Sequence, residues 1–127
     1  QDPHPELFDD YADTLARLAR GEPQAWTLRR FERDLLAHLG YALVLDVEGD
    51  GGAPLDPDRD YAYRHEHGPV AWRDARDGVC LRGAALLALA RDEMPAGEHL
   101  PPLRRLMRAV VAAHLDGGEL RSWSMLS

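Results

Sequence analysis

Apolar residues recur at helical spacing over four stretches of this chain and alternate with polar ones over a fifth. From Pro5 to Gly21 the spaced residues are Leu7, Phe8, Tyr11, Leu15 and Leu18, with acids in the first turns and arginines in the last, as a helix dipole prefers. This predicts a helix near 6–20. Pro23 suits the opening turn of a second helix near 24–39, whose core stripe is Leu28, Phe31, Leu35 and Leu39 and whose end is set by Gly40. At about 100° per residue, Trp26, Arg29, Arg33 and Leu36 share a neighbouring flank that is half apolar and half cationic.

The middle of the chain changes character. Leu43 to Val47 is a short apolar run, and the segment from Gly49 to Asp60, rich in Gly, Pro and Asp, reads as a surface loop. Tyr61-Ala62-Tyr63-Arg64 and Val70-Ala71-Trp72-Arg73 alternate on either side of a turn containing Gly68, which predicts a β hairpin near 61–73. Val79-Cys80-Leu81 leads into a short helix near 83–92 with Leu86, Leu87 and Leu89. Pro101-Pro102 opens a long helix near 101–115 with Leu103, Leu106, Met107, Val110, Val111 and His114 on one stripe and Gly117 as its C-cap. The expected fold is mainly α: a single helical domain over 1–127 with a small β hairpin. A chain of 127 residues can bury roughly two-thirds of its unfolded surface, so it needs no metal or disulfide staple.

Composition narrows the function classes. All 15 basic residues are arginine, and the net charge of −7 argues against the whole surface being a nucleic-acid footprint. The charge is uneven: Arg29, Arg30 and Arg33 form one compact cluster and Arg104, Arg105 and Arg108 another, either of which could be solvated helix surface. The second could equally contact DNA phosphates, which need only positive charge. No apolar run reaches the roughly 20 residues that span a bilayer. A lone cysteine, Cys80, expected to be buried between Val79 and Leu81, fits a reducing compartment. A soluble, cytoplasmic protein is expected.

No catalytic constellation emerges. His65-Glu66-His67 offers imidazole and carboxylate, but the two histidines share one face of a strand with no third ligand in view, so a solvated hairpin end is the expectation. The acids from Asp46 to Asp60 do not fall at calcium-loop positions. The serines Ser122, Ser124 and Ser127 lie in a tail with no fixed histidine partner. No metal and no cofactor are expected. The flank of Trp26, Arg29, Arg33 and Leu36, with Arg30 beside it, could be a helix face on which Arg29 and Arg33 pair with Glu22, Glu32 or Asp34. It could also receive an acidic peptide ending in an aromatic residue, because a guanidinium binds a terminal carboxylate in two places while an apolar pocket desolvates the ring.

Leu28-Arg29-Arg30-Phe31-Glu32, continuing through Leu35-Leu36 to Leu39-Gly40-Tyr41, resembles the DNA repair protein RecO family. So do Pro5-Glu6-Leu7-Phe8-Asp9-Asp10-Tyr11 and Leu115-Asp116-Gly117-Gly118-Glu119-Leu120-Arg121-Ser122. The likeness is to the helical C-terminal part of that family, whose N-terminal OB-fold has no counterpart here. Gln1 is not a start residue, so the chain reads as a piece of a longer protein. The resemblance implies a non-enzymatic DNA repair and recombination mediator of the RecF pathway in the bacterial cytoplasm, associated with the nucleoid. It would bind the C-terminal tail of the single-stranded DNA-binding protein SSB, work with RecR to load RecA and support strand annealing, and meet single-stranded DNA mainly through the missing OB-fold. Arg29 matches the family's key arginine by position, and Arg30, Arg33, Trp26 and Leu36 join it by proximity. Many relatives carry four cysteines as a zinc knuckle, so Cys80 alone implies the metal-free branch. Where family members commonly carry Ser-Arg followed by an acid and leucines, this chain has Ser122-Trp123-Ser124-Met125-Leu126, which bears on any tail contact with DNA. The rivals are a helical small-ligand-binding or regulatory domain and, third, a hydrolytic enzyme.

Overall fold

A computed structural model describes residues 5–114, and the predicted Gly117 cap and the motif from Leu115 to Ser122 lie outside them. Helix α1 (Pro5–Ala19) packs on α2 (Gln24–His38). A small sheet of β1 (Asp60–Arg64), β2 (Gly68–Ala71) and β3 (Cys80–Arg82) follows, interrupted by a one-turn helix α3 (Trp72–Ala75). Helices α4 (Gly83–Arg91) and α5 (Leu100–Ala113) close the described chain.

The helix periods translate directly into packing. Leu103, Leu106, Met107, Val110 and Val111 are all buried on one face of α5, against Leu86 and Leu89 of α4 and Leu81 of β3. The buried stripe ends at Val111, before the expected His114, which is the C-cap of α5 and only half-buried. Gly40 ends α2 as foreseen: with φ +91°, it lets the Tyr41 amide reach the Leu36 carbonyl at 2.8 Å while its own amide bonds Ala37 at 3.1 Å. This is the Schellman arrangement, which satisfies carbonyls that the helix end would otherwise orphan.

The hairpin is part of something larger. β1 is the central strand, antiparallel to β2 (Tyr61 opposite Ala71) and also to β3 (Tyr61 opposite Leu81), so the sheet order is β2-β1-β3. Trp72 and Arg73, expected to extend the second strand, instead open α3. Cys80 is exposed, contrary to expectation, because strand alternation sends Leu81 inward and turns Cys80 and Arg82 outward. Two tyrosines of β1 hold the preceding loop: the Asp56 amide donates to the Tyr61 hydroxyl at 2.9 Å and the Val44 amide to the Tyr63 hydroxyl at 3.0 Å. Burial pushes the Tyr63 phenol above its ordinary pKa. At the start of α4, Gly83 is required sterically, since a Cβ there would stand 2.0 Å from the Asp56 carbonyl oxygen.

Candidate functional site: the arginines of α2

Helix α2 carries three arginines, and the fold treats each differently. The expected core stripe is only half right: Phe31 and Leu35 are buried, whereas Leu28 and Leu39 are half-buried. The flank expected to border solvent lies deeper, with Trp26 and Leu36 inside the core. Arg29 goes in with them and is 1% exposed. It is held by Glu32, one turn further on and also fully buried, through a bidentate pair: Nε to Oε1 at 2.5 Å and Nη2 to Oε2 at 3.1 Å. Two charges in a low-dielectric interior are tolerable only with such complementary geometry. Among the described residues no buried side-chain nitrogen or oxygen lacks a partner.

Arg30 and Arg33 instead reach across to the C-terminal end of α4. Arg30 forms a bidentate pair with Asp92 through Nε to Oδ1 and through Nη2 to Oδ2, the second at 2.7 Å. Arg33 donates to the Leu89 carbonyl at 2.7 Å and to Asp34 at 2.9 Å, and touches Asp92 at 3.3 Å. The two guanidiniums thus clamp α2 onto the last turn of α4. The bidentate hydrogen bond from Arg30 holds the Asp92 carboxyl below the usual carboxylate range, and Asp92 in turn raises the Arg30 guanidinium. A carboxylate whose folded pKa is depressed stabilises the fold above its unfolded pKa and loses that contribution as pH falls through the folded value. The Asp92 contribution is therefore present above about pH 4 and lost on further acidification. Asp92→Asn should flatten the acid limb of the stability profile in urea titrations below about pH 4. An unaltered limb would show that solvent screens the clamp completely.

Arg104, Arg105 and Arg108 are exposed on α5, away from its core stripe, and form a group separate from the α2 arginines. Sequence reasoning missed a third cationic region, a cleft of about 510 Å³ lined by Arg59, Arg73 and Arg76 together with Trp72 and Asp60. Arg59 comes from the loop before β1, Arg73 from α3 and Arg76 from the C-cap of that helix, so no periodicity announces it. A four-cysteine zinc knuckle cannot be assembled from this chain, which has one cysteine, exposed on β3. Partial desolvation of this exposed thiol, with Asp60 nearby, raises it above its ordinary pKa, which disfavours the reactive thiolate.

These features describe a mainly helical domain with a small antiparallel sheet, organised around an arginine-rich helix with a buried ion pair. Residues 1–124 match the family described as recombination protein O, C terminal. The DNA repair protein RecO of Xanthomonas oryzae pv. oryzae (strain PXO99A) is 47% identical over 131 residues, covering 98% of this chain and 53% of that protein. RecO of Stenotrophomonas maltophilia (strain K279a) is 47% identical over 129 residues, covering 99% and 54%. This chain belongs to the recombination protein O (RecO) family, and it spans about half the length of the curated relatives it matches. Among the described residues no helix is long and apolar enough to cross a membrane.

Proposed function

We propose that this chain is the C-terminal part of a bacterial DNA repair and recombination mediator, acting by binding rather than by catalysis, and that its α2 region receives the acidic C-terminal tail of SSB. RecR is the proposed partner for RecA loading and strand annealing, in the cytoplasm at the nucleoid. The observation that carries the reading is the arginine run Leu28-Arg29-Arg30-Phe31-Glu32 on α2 of a chain that belongs to the RecO family.

Within that region the residues divide by accessibility. Trp26, Arg29 and Leu36 are buried in the core, with Arg29 engaged by Glu32. Arg30 and Arg33 stand at the rim with side chains 9% and 17% exposed, and their partner Asp92 is 45% exposed. An incoming peptide carboxylate would take the place of Asp92, a carboxylate held by the same fork geometry it would use. Arg104, Arg105 and Arg108 are the proposed contacts for DNA phosphates. The isolated chain is expected to bind single strands weakly, since its net charge is −7.

Calorimetry with an acidic peptide ending in phenylalanine tests the assignment. For micromolar binding, about −8 kcal/mol, losing one charge-assisted contact worth roughly 1.5 to 3 kcal/mol should weaken affinity at least about tenfold. Arg33→Ala and Arg30→Ala should each show this loss, and high salt should reproduce part of it. Removing the terminal phenylalanine should be at least as damaging. Arg29→Ala is informative only beside a denaturation curve, because this residue is also part of the core. Full affinity in both rim variants, or equal binding by the truncated peptide, rules out this surface as the receiver.

A further inference from the structure

The tip of the β1–β2 hairpin and the end of α5 bring together groups that are far apart in sequence. His65, Glu66 and His114 each present a ligand atom, and these atoms all lie within 4.8 Å of one another. The sequence pairs His65 with His67, but the fold separates them. His67 turns to Asp50, with its Nε2 at 2.8 Å from the carboxylate, while His65 faces His114 with ring centroids 4.7 Å apart. His114 is fixed on its other side by Tyr41, whose ring stacks on it at 4.0 Å and 18°. Among the described residues the ring nitrogens of His65 and His114 make no hydrogen bond, and His65 Nε2 stands 3.8 Å from the Glu66 carboxylate, whereas His38 meets Asp10 at 2.7 Å. The group borders a cleft of about 280 Å³ beside Leu43, Tyr63 and Val110, so one side of the cluster is apolar and the other is open to water.

We propose that His65, Glu66 and His114 form a binding site for a divalent transition-metal ion of the zinc type, held by two imidazoles and one carboxylate with a fourth position open. Imidazole and carboxylate together suit zinc, and three protein ligands with an exchangeable fourth is a recurrent zinc arrangement. Bonds of about 2.0 to 2.1 Å place tetrahedral ligand atoms about 3.4 Å apart, inside the 4.8 Å limit within which the three atoms now lie. His65 and Glu66 are exposed at a turn, so their side chains are free to rotate toward that spacing. The site is distinct in its residues from a four-cysteine knuckle. It lies at the periphery and joins the hairpin to α5, so it adds a tether to a domain that already has its own core.

Zinc titration of the metal-free 127-residue chain by calorimetry, with cobalt as a spectroscopic substitute, tests the site. The expected result is one equivalent of metal and ligand-field bands in the visible spectrum of the cobalt form. His114→Ala and His65→Ala should each weaken zinc binding by at least about 10- to 100-fold, and Glu66→Gln should weaken it and alter the cobalt spectrum. His67→Ala should leave both unchanged. If His67→Ala abolishes binding while His114→Ala does not, the metal is held by the local His-Glu-His sequence and the proposal is overturned. Failure of the parent chain to bind zinc below millimolar concentration overturns it equally.

Discussion

Replacing Glu32 with alanine is expected to cost the domain about 3 to 5 kcal/mol, because it leaves the Arg29 guanidinium charged and uncompensated inside the core. Arg29 and Glu32 are 1% and 0% exposed, so water cannot replace the lost carboxylate without opening the packing around Trp26 and Leu36. Against a typical domain stability of about 5 to 15 kcal/mol this is a large fraction, and the variant should unfold at a much lower urea concentration. The double variant Arg29→Met with Glu32→Leu should recover most of the loss, since two apolar side chains of similar volume need no desolvation of charge. A Glu32→Ala midpoint close to that of the parent would mean the pair is solvated and the burial argument is wrong. A double variant as unstable as the single would show that α2 needs the pair for its shape.

Leu106→Ala is the second large effect, at about 2 to 5 kcal/mol. Leu106 is 2% exposed at the centre of the α5 stripe, in the cluster that contains Leu81 of β3 and Leu86 of α4. Truncation removes apolar contact with several elements at once and leaves a cavity that the surrounding backbone cannot fill. Leu100, only partly buried at the start of α5, supplies the comparison: Leu100→Ala should cost markedly less. Equal losses at the two positions, or a negligible one at Leu106, would contradict the placing of the core on this face.

The parts legible in the sequence are those whose cause is local. The period of Leu103, Leu106, Met107, Val110 and Val111 needs only one helix to express it, and the glycine at 40 ends α2 by its own conformational freedom. Strand β3 was not legible. Three residues are too few to display alternation, and their place is set by pairing with β1 across α3. The depth of Arg29 escaped for a different reason: charge normally marks a surface position. Only Glu32 three residues on, a neighbour on the same helix face, hinted that the charge could be carried inward. Arg30 and Arg33 are grouped on α2 by the sequence, but their common partner Asp92 comes from beyond the sheet, and no local pattern links them. His114 likewise could not be joined to His65 without knowing that α5 ends over the hairpin.

The opening of α4 carries one more implication. Its first amides are taken by main-chain oxygens of the preceding loop, Gly83 bonding the Arg59 carbonyl at 2.7 Å and Ala84 the Pro57 carbonyl at 3.0 Å. The positive end of this helix dipole therefore holds a loop, and the place where a phosphate would ordinarily settle is filled by the protein's own backbone. The same bonds divide that loop into two unequal halves. From Asp56 onward it is pinned to the helix and to Tyr61, while around Gly51 and Gly52 it has open space on the side where a side chain would project. Changes in loop length can be absorbed at that glycine tip, whereas a single added residue after Asp56 would shift the register of the central strand.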